Sequence, residues 1–287
     1  MATGLINSFR SEWLKKKNTL AYWMVIAGAF FTPAIIIIIR LLQQERAVAL
    51  YADPSFWQLL WKSSWESMAI FLLPMGTILA TSLVTQIEYG NNAWKQLHAL
   101  PLDLSTIFIS KLAVILLMLA QFLLLFNIGI YLSALVPYLL LSDVPYPAGP
   151  FPAMPFLRET GLYFIACLPI VAMQYLISLH FRNFLVPIGI GFLCWLAALA
   201  ALPWRYNYLI PYSYTMLQYL QDGNAGKVAS PPVDIHLIAI AYFIAIIGCY
   251  NGLTSKGGAD GVGRATTNTV VLSSILVLVS DTLLTKL

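Results

Sequence analysis

Residues 112–142 read LAVILLMLAQFLLLFNIGIYLSALVPYLLLS, and no charged residue interrupts the chain between Lys111 and Asp143. A helix needs only about 20 apolar residues to cross a bilayer, so this stretch has length to spare and is expected to tilt or kink. Its side chains do not alternate as those of a barrel strand would, and an open sheet cannot satisfy its backbone in lipid. The segment therefore predicts a helix with a membrane as its solvent.

Reading outward from charge to charge gives the other apolar runs, because an ionised group in hydrocarbon is costly and tends to mark a boundary. Before the quoted run lie 19–39 and 67–87; after it lie 160–181, 183–204, 235–255 and the shorter 265–280. Runs 160–181 and 183–204 meet at Arg182, leaving room for a tight hairpin near His180. Pro33, Pro74, Pro137, Pro169 and Pro187 fall inside runs and predict kinks, which a membrane bundle tolerates better than a soluble helix. Of the 287 residues, 60% are hydrophobic and 10% charged, whereas soluble chains carry about 25% charged residues. The expected fold is all-α: a polytopic transmembrane helical bundle of six spans plus a seventh, with an N-terminal interfacial helix.

Charge orients the bundle. With the N-terminus in the cytoplasm, the inside segments hold Arg10, Lys15, Lys16, Lys17, Lys95, Lys111, Arg182, Lys256 and Arg264 against Glu12, Glu88, Asp103 and Asp260. The outside segments hold seven basic and eight acidic residues, so the basic excess lies inside, as the positive-inside rule requires. The net charge of +4 is spread over many loops and gives no sign of nucleic-acid binding. The charges before residue 19 precede a run too long for the core of a cleavable signal, so that run is expected to stay as a helix.

Two stretches read as interfacial. In 5–17, Leu5, Phe9 and Trp13 recur every fourth position while Arg10, Glu12, Lys15, Lys16 and Lys17 point away, as in a helix lying on the inner surface. In 51–65, Phe56, Trp57, Trp61 and Trp65 suit the outer headgroup layer. The proline-rich 142–159 is expected to be an extended connector, and 205–234 a polar loop with room for one short surface helix.

Catalytic signatures are missing. There is no HExxH pair, no GxSxG turn and no GxxxxGK[ST] loop. The glycines of GGADGVGRATT, 257–267, lack the lysine and preceding strand of a phosphate loop, and GGAD is not the GxGD of an intramembrane aspartyl protease. His98, His180 and His236 are scattered, and Cys167, Cys194 and Cys249 sit singly in apolar runs, so no metal site is expected. The inner loop EYGNNAWKQLHALPLDLSTIFISK, 88–111, holds a helix-capable stub at 93–99 closed by Pro101. Such a stub suits a contact that carries rigid-body motion from a partner into the spans, and equally a plain connection.

SEWLKKKNTLAYW, 11–23, and EYGNNAWKQLHALPLDLSTIFISKL, 88–112, resemble type-2 ABC permeases of the lantibiotic-immunity and bacitracin-resistance kind over about residues 1–245. That resemblance implies a permease domain with a surface helix and six spans, in a bacterial cytoplasmic membrane. It also implies contact with the ATP-binding subunit through the loop after the second span, at Glu88, Asn92, Trp94, Lys95, Leu100, Pro101 and Lys111. The tail 246–287 is similar to the C-terminus of Mla-type phospholipid-transport permeases, on Gly252, Gly257, Gly258, Gly261, Val262, Gly263, Arg264, Ala265, Thr266, Thr267 and Asp281. The implied partners are a cytoplasmic ABC ATPase carrying ATP and Mg, a second permease (the same chain or a related one) and membrane lipid. No cofactor is expected in this chain. The implied cargo is an amphipathic peptide antibiotic or lipophilic compound, with phospholipid as the alternative. A membrane assembly protein with no transport cycle is the reading from another class.

Overall fold

The computed structural model describes residues 2–17, 19–90, 104–221 and 234–253, together with residues 267 and 271. Among these residues the fold is all-helical and contains no strand. Helix α1 (Ala2–Lys15) leads into α2 (Leu20–Leu42), whose first turn is capped by the Thr19 hydroxyl accepting from Tyr22 N–H. Next come α3 (Gln44–Tyr51) and α4 (Phe56–Ser67), then a π-helical turn (Met68–Leu72) and α5 (Leu73–Gly90). After these stand α6 (Leu104–Leu140), α7 (Ala153–His180) and α8 (Leu185–Ala200). Two 3₁₀ turns (Asn207–Leu209 and Pro211–Ser213) then precede α9 (Tyr214–Tyr219) and α10 (Ile235–Leu253).

Among the described residues, four helical runs are long and apolar enough to cross a bilayer: Leu20–Leu42, Phe56–Ile87, Thr106–Leu140 and Ala153–His180. Helix α8 is apolar but has 16 residues, about 24 Å of helix, against a hydrocarbon core of about 30 Å. The stub at 93–99 and most of the expected seventh span lie outside the described residues.

Four boundaries differ from the sequence reading, each for a local reason. Helix α6 starts at Leu104, so Lys111 lies inside it rather than at its edge; Glu12 neutralises that charge. The Trp-rich stretch is not separate from the second span. Residues 56–67 continue into the second span, with Phe56, Trp57 and Trp65 buried and Trp65 stacked on Tyr163 at 3.8 Å. Helix α7 takes over the end of the proline-rich connector, because Pro155 in a first helical turn gives up an N–H that would have had no intrahelical partner. The short helix of 205–234 is not on the surface: Tyr214, Met216 and Leu217 of α9 are fully buried. Polar groups around it are satisfied locally, Tyr214 Oη donating to Tyr208 O at 2.7 Å and Asn207 Nδ2 to Leu202 O at 2.9 Å.

Packing is led by α2 on α6, α10 on α7, α5 on α7 and α1 on α6. Between α2 and α6 the backbone of Gly129 approaches Pro33 so closely that a Cβ there would lie 2.7 Å from Pro33 Cγ. This is the small-residue packing that substitutes for a hydrophobic drive between helices in lipid. Pro137 cannot donate to the Ser133 carbonyl one turn earlier. Arg40 Nη1 donates to that carbonyl at 3.0 Å and Tyr51 Oη to Ala134 O at 2.8 Å, so the proline break is stitched to α2 and α3.

Candidate functional site

Helices α2, α5 and α6 surround an apolar cavity of about 230 Å³. Gly28 and Gly76 open two of its walls and Met75, Met118 and Phe122 line others. A Cβ on Gly76 would still lie 3.8 Å from the nearest atom, Phe122 Cζ, so crowding does not impose that glycine. Thr77 and Thr81 also line it. The Thr77 hydroxyl donates back to Leu73 O at 2.7 Å, whereas the fully buried Thr81 hydroxyl has no partner among the described residues. The cavity thus offers hydrocarbon walls, with the unpartnered Thr81 hydroxyl buried behind them.

On the far side of α5 runs a polar seam. Gln174 of α7 is fully buried, and its Nε2 lies 2.8 Å from both Ser82 Oγ and Pro187 O. Its Oε1 accepts from Tyr212 Oη at 3.0 Å. One amide therefore ties α5, α7, α8 and the turn before α9 together, with every polar atom used. The geometry depends on Gly191, where a Cβ would fall 2.5 Å from Gln174 Oε1. One turn further along α5, Gln86 Nε2 donates to Phe181 O at 2.6 Å and holds the α7–α8 hairpin.

A third cluster joins α1 to α6. The buried stripe of α1 is Ser8, Glu12 and Lys16, successive positions on one face, while Ile6, Trp13 and Leu14 are exposed. This corrects the sequence assignment for Glu12 and Lys16, which it put on the outward face; Arg10 and Lys17 are exposed as expected. The stripe turns inward because α6 offers partners: Lys111 Nζ donates to Glu12 Oε2 at 3.0 Å and Lys16 Nζ to Gln121 Oε1 at 3.3 Å. Burial on its own would raise the Glu12 carboxyl, but Lys111 and Lys15 beside it outweigh that and hold it below the usual carboxylate value. Burial pushes the Lys16 ammonium down to about 8. Lys16 Nζ also lies 3.3 Å from the centroid of the Trp13 ring, whose π face favours the cation.

The pattern shared by ABC-2 family transporter proteins matches residues 8–198, most of the chain and all three clusters' principal helices. The chain belongs to the ABC-2 transporter family. With its helices long enough to cross a bilayer, this ABC-2 protein is an integral membrane protein. A second pattern, that of the permease MlaE, matches residues 233–287. Among similar proteins, a probable ABC transporter permease of Rickettsia prowazekii is 53% identical over 61 residues, covering 20% of this chain and 24% of the relative. One of Rickettsia typhi is 59% identical over 78 residues, covering 26% and 27%. One of Synechocystis is 48% identical over 44 residues, covering 15% and 17%. The ABC-2 chain thus spans about a quarter or less of the curated relatives it matches. No solved structure matches it.

Of the residues singled out by sequence, Lys111 and the α1 group Phe9, Trp13, Lys15 and Lys16 meet around Glu12 and Gln121, with Phe9 stacked on Trp13 and Lys15 bonded to Glu12. Lys17 is exposed in the turn before α2. Glu88 belongs to the last turn of α5. Asn92, Trp94, Lys95, Leu100 and Pro101 lie outside the described residues. Among those described, no His, Cys, Asp and Glu group could hold a metal ion. Sequence reasoning missed Gln174, Ser82, Thr81 and Tyr212. The available signal was a glutamine and small hydroxyls inside apolar runs, where an intramembrane polar group calls for a partner.

Proposed function

We propose that this ABC-2 chain is the membrane-spanning permease subunit of an ATP-binding cassette transporter, and that it moves an amphipathic, lipophilic cargo drawn from the bilayer. The cavity between α2, α5 and α6 carries this reading: its hydrocarbon lining suits an apolar tail. Export of an amphipathic peptide antibiotic or similar compound is the preferred activity. Phospholipid movement is the second reading, favoured by the MlaE pattern over residues 233–287.

In this reading residues 1–245 are the type-2 permease domain and 246–287 carry the tail into a seventh span. The N-terminus lies in the cytoplasm of a bacterial cell, and two permease chains pair. ATP and Mg belong to a separate ATPase that docks on the loop after the second span, at Glu88, Asn92, Trp94, Lys95, Leu100 and Pro101, with Lys111 behind it. Closure of the ATPase would rock the loop and α6. Helix α6, 37 residues and about 55 Å long, reaches well beyond a core of about 30 Å and is stiff enough to pass that motion inward.

The test is reconstitution of the chain with the ATPase encoded beside it, in vesicles carrying a fluorescent lipopeptide in one set and a fluorescent phospholipid in another. ATP-dependent movement of the lipopeptide is expected. Movement of phospholipid alone would replace the preferred cargo by the second reading. Tight assembly with the ATPase but no movement of either would mark the chain as an assembly protein.

A further inference from the structure

Where α1 ends and α2 begins, Trp13, Leu14, Lys16, Lys17, Tyr22 and Gln121 line a pocket of about 360 Å³. Lys16 is only 3% exposed, and its Nζ is held between Gln121 Oε1 and the face of Trp13. Neither Lys16 nor Lys17 has a carboxylate within ion-pair distance among the described residues. The nearby Glu12 is engaged by Lys15 and Lys111. The pocket therefore gathers two positive charges with no carboxylate among the described residues to balance them.

Two further features give that charge a direction. The first-turn N–H groups of α2 begin at the same junction and add the positive end of a 23-residue helix. Leu14, Leu20 and Trp23 beside the pocket are exposed, at 61%, 64% and 58%, so an apolar strip adjoins the cationic one. Cation next to grease, at the place where a surface helix turns into a span, is the profile of a membrane headgroup layer.

We propose that this pocket binds the phosphate headgroup of an anionic phospholipid from the leaflet in which α2 begins. The phosphate sits between Lys16 and Lys17 at the α2 N-terminus, and the acyl chains descend along Leu20 and Trp23. The bound lipid supplies the counter-charge that Lys16 lacks and fastens the α1–α2 turn to Gln121 of α6. This assignment is independent of the cargo and of any ATPase.

The test uses the full chain purified in detergent, with lipid binding read by native mass spectrometry and folding checked by gel filtration. The wild type should retain phosphatidylglycerol in preference to phosphatidylcholine. Each lysine near a membrane anion contributes about a fivefold factor, so Lys17→Gln should weaken phosphatidylglycerol about fivefold and Lys16→Met with Lys17→Gln roughly thirtyfold. Lys16→Arg should stay close to wild type. Should the double variant misfold, the exposed Lys17→Gln alone still decides the matter. Equal retention of the two lipids, or unchanged phosphatidylglycerol affinity in Lys17→Gln, overturns the proposal. So does inorganic phosphate that competes as well as the lipid does, since it would show an anion site with no use for acyl chains.

Discussion

The indole Nε1 of Trp195 donates to the carbonyl oxygen of Ile70 at 2.9 Å, and Ile70 stands one helical turn before Pro74. Pro74 has no N–H to give that carbonyl, and the π-helical turn at Met68–Leu72 marks where the regular ladder is interrupted. Helix α8 thus repairs a break in the second span. Trp195→Phe keeps the ring but removes the donor. Interhelical hydrogen bonds in membranes average about 0.6 kcal/mol and reach about 1.7, so a loss of about 1 kcal/mol is expected in detergent unfolding. With Pro74→Ala in the same chain the loss should shrink, and a double-mutant cycle measures the difference. Strict additivity would mean that the indole bond does not serve the proline break.

The Glu12–Lys111 pair predicts how acid affects the docking of α1. The folded carboxyl is held below its usual value, so the unfolded chain takes up a proton first as pH falls. The pair's contribution is complete above the ordinary carboxylate range and is lost as pH drops through the folded value. Thermal unfolding followed from pH 6 down through and below the ordinary carboxylate range should show a declining midpoint in the wild type and a flatter one in Glu12→Gln. At pH 7, Glu12→Gln should cost on the order of 3 kcal/mol, as removal of one partner of a buried pair does.

Lys16 gives a pH slope of the same sign in an alkaline window, but for a different reason: burial there disfavours the charged form instead of a partner favouring it. Its folded value of about 8 is below that of a free lysine, so the unfolded state holds more protons between the two values. Raising pH from 8 toward 10 should stabilise the lipid-free chain, and Lys16→Met should abolish that rise. Differential scanning fluorimetry of delipidated protein across that window checks the sign.

Gly191 and Gly189 lie on the same helix, but only Gly191 faces the seam. A Cβ at Gly191 would sit 2.5 Å from Gln174 Oε1 and 2.8 Å from Ile78 Cγ2, whereas one at Gly189 meets nothing within 4 Å. Gly191→Ala should therefore cost about 1–3 kcal/mol through overpacking. Gly189→Ala should be neutral or stabilising by up to about 1 kcal/mol through helix propensity. Similar melting temperatures for the two variants would show that the seam is not closely packed.

Charge-free runs made the helices legible, and residues 112–140 of the run 112–142 do lie within α6. Charge was a poorer guide to helix ends. Lys111 and Arg40 look like boundaries only while Glu12 and the Ser133 carbonyl are unknown, and both partners come from other parts of the chain. Part of α1 was misread for the same reason: the pattern groups Glu12 and Lys16 with the outward charges, but the ion pair and the Gln121 contact draw them inward with Ser8. The burial of α9 was hidden in a stretch whose polar residues look solvated until Tyr214 and Asn207 find carbonyls beside them. Local pattern reads the apolar majority well. Polar groups in lipid are decided by partners distant in sequence.

The cavity yields the prediction that separates stability from function. Gly76→Val would put side-chain atoms into the void, with Phe122 the first neighbour met, at ordinary contact distance for the Cβ. Filling a void restores dispersion contacts, so the melting temperature should hold or rise. A cargo tail that needs the same volume would be excluded, and cargo-stimulated ATP hydrolysis by the reconstituted complex should fall about tenfold while basal hydrolysis is unchanged. Thr81→Val, nearly the same shape without the buried hydroxyl that has no partner among the described residues, should stabilise the chain by about 1–3 kcal/mol and leave cargo stimulation unchanged. Loss of stimulation in Gly76→Val with stimulation retained in Thr81→Val would identify the cavity as the tail-binding site. A Gly76→Val chain that is more stable and fully active would show that cargo passes elsewhere.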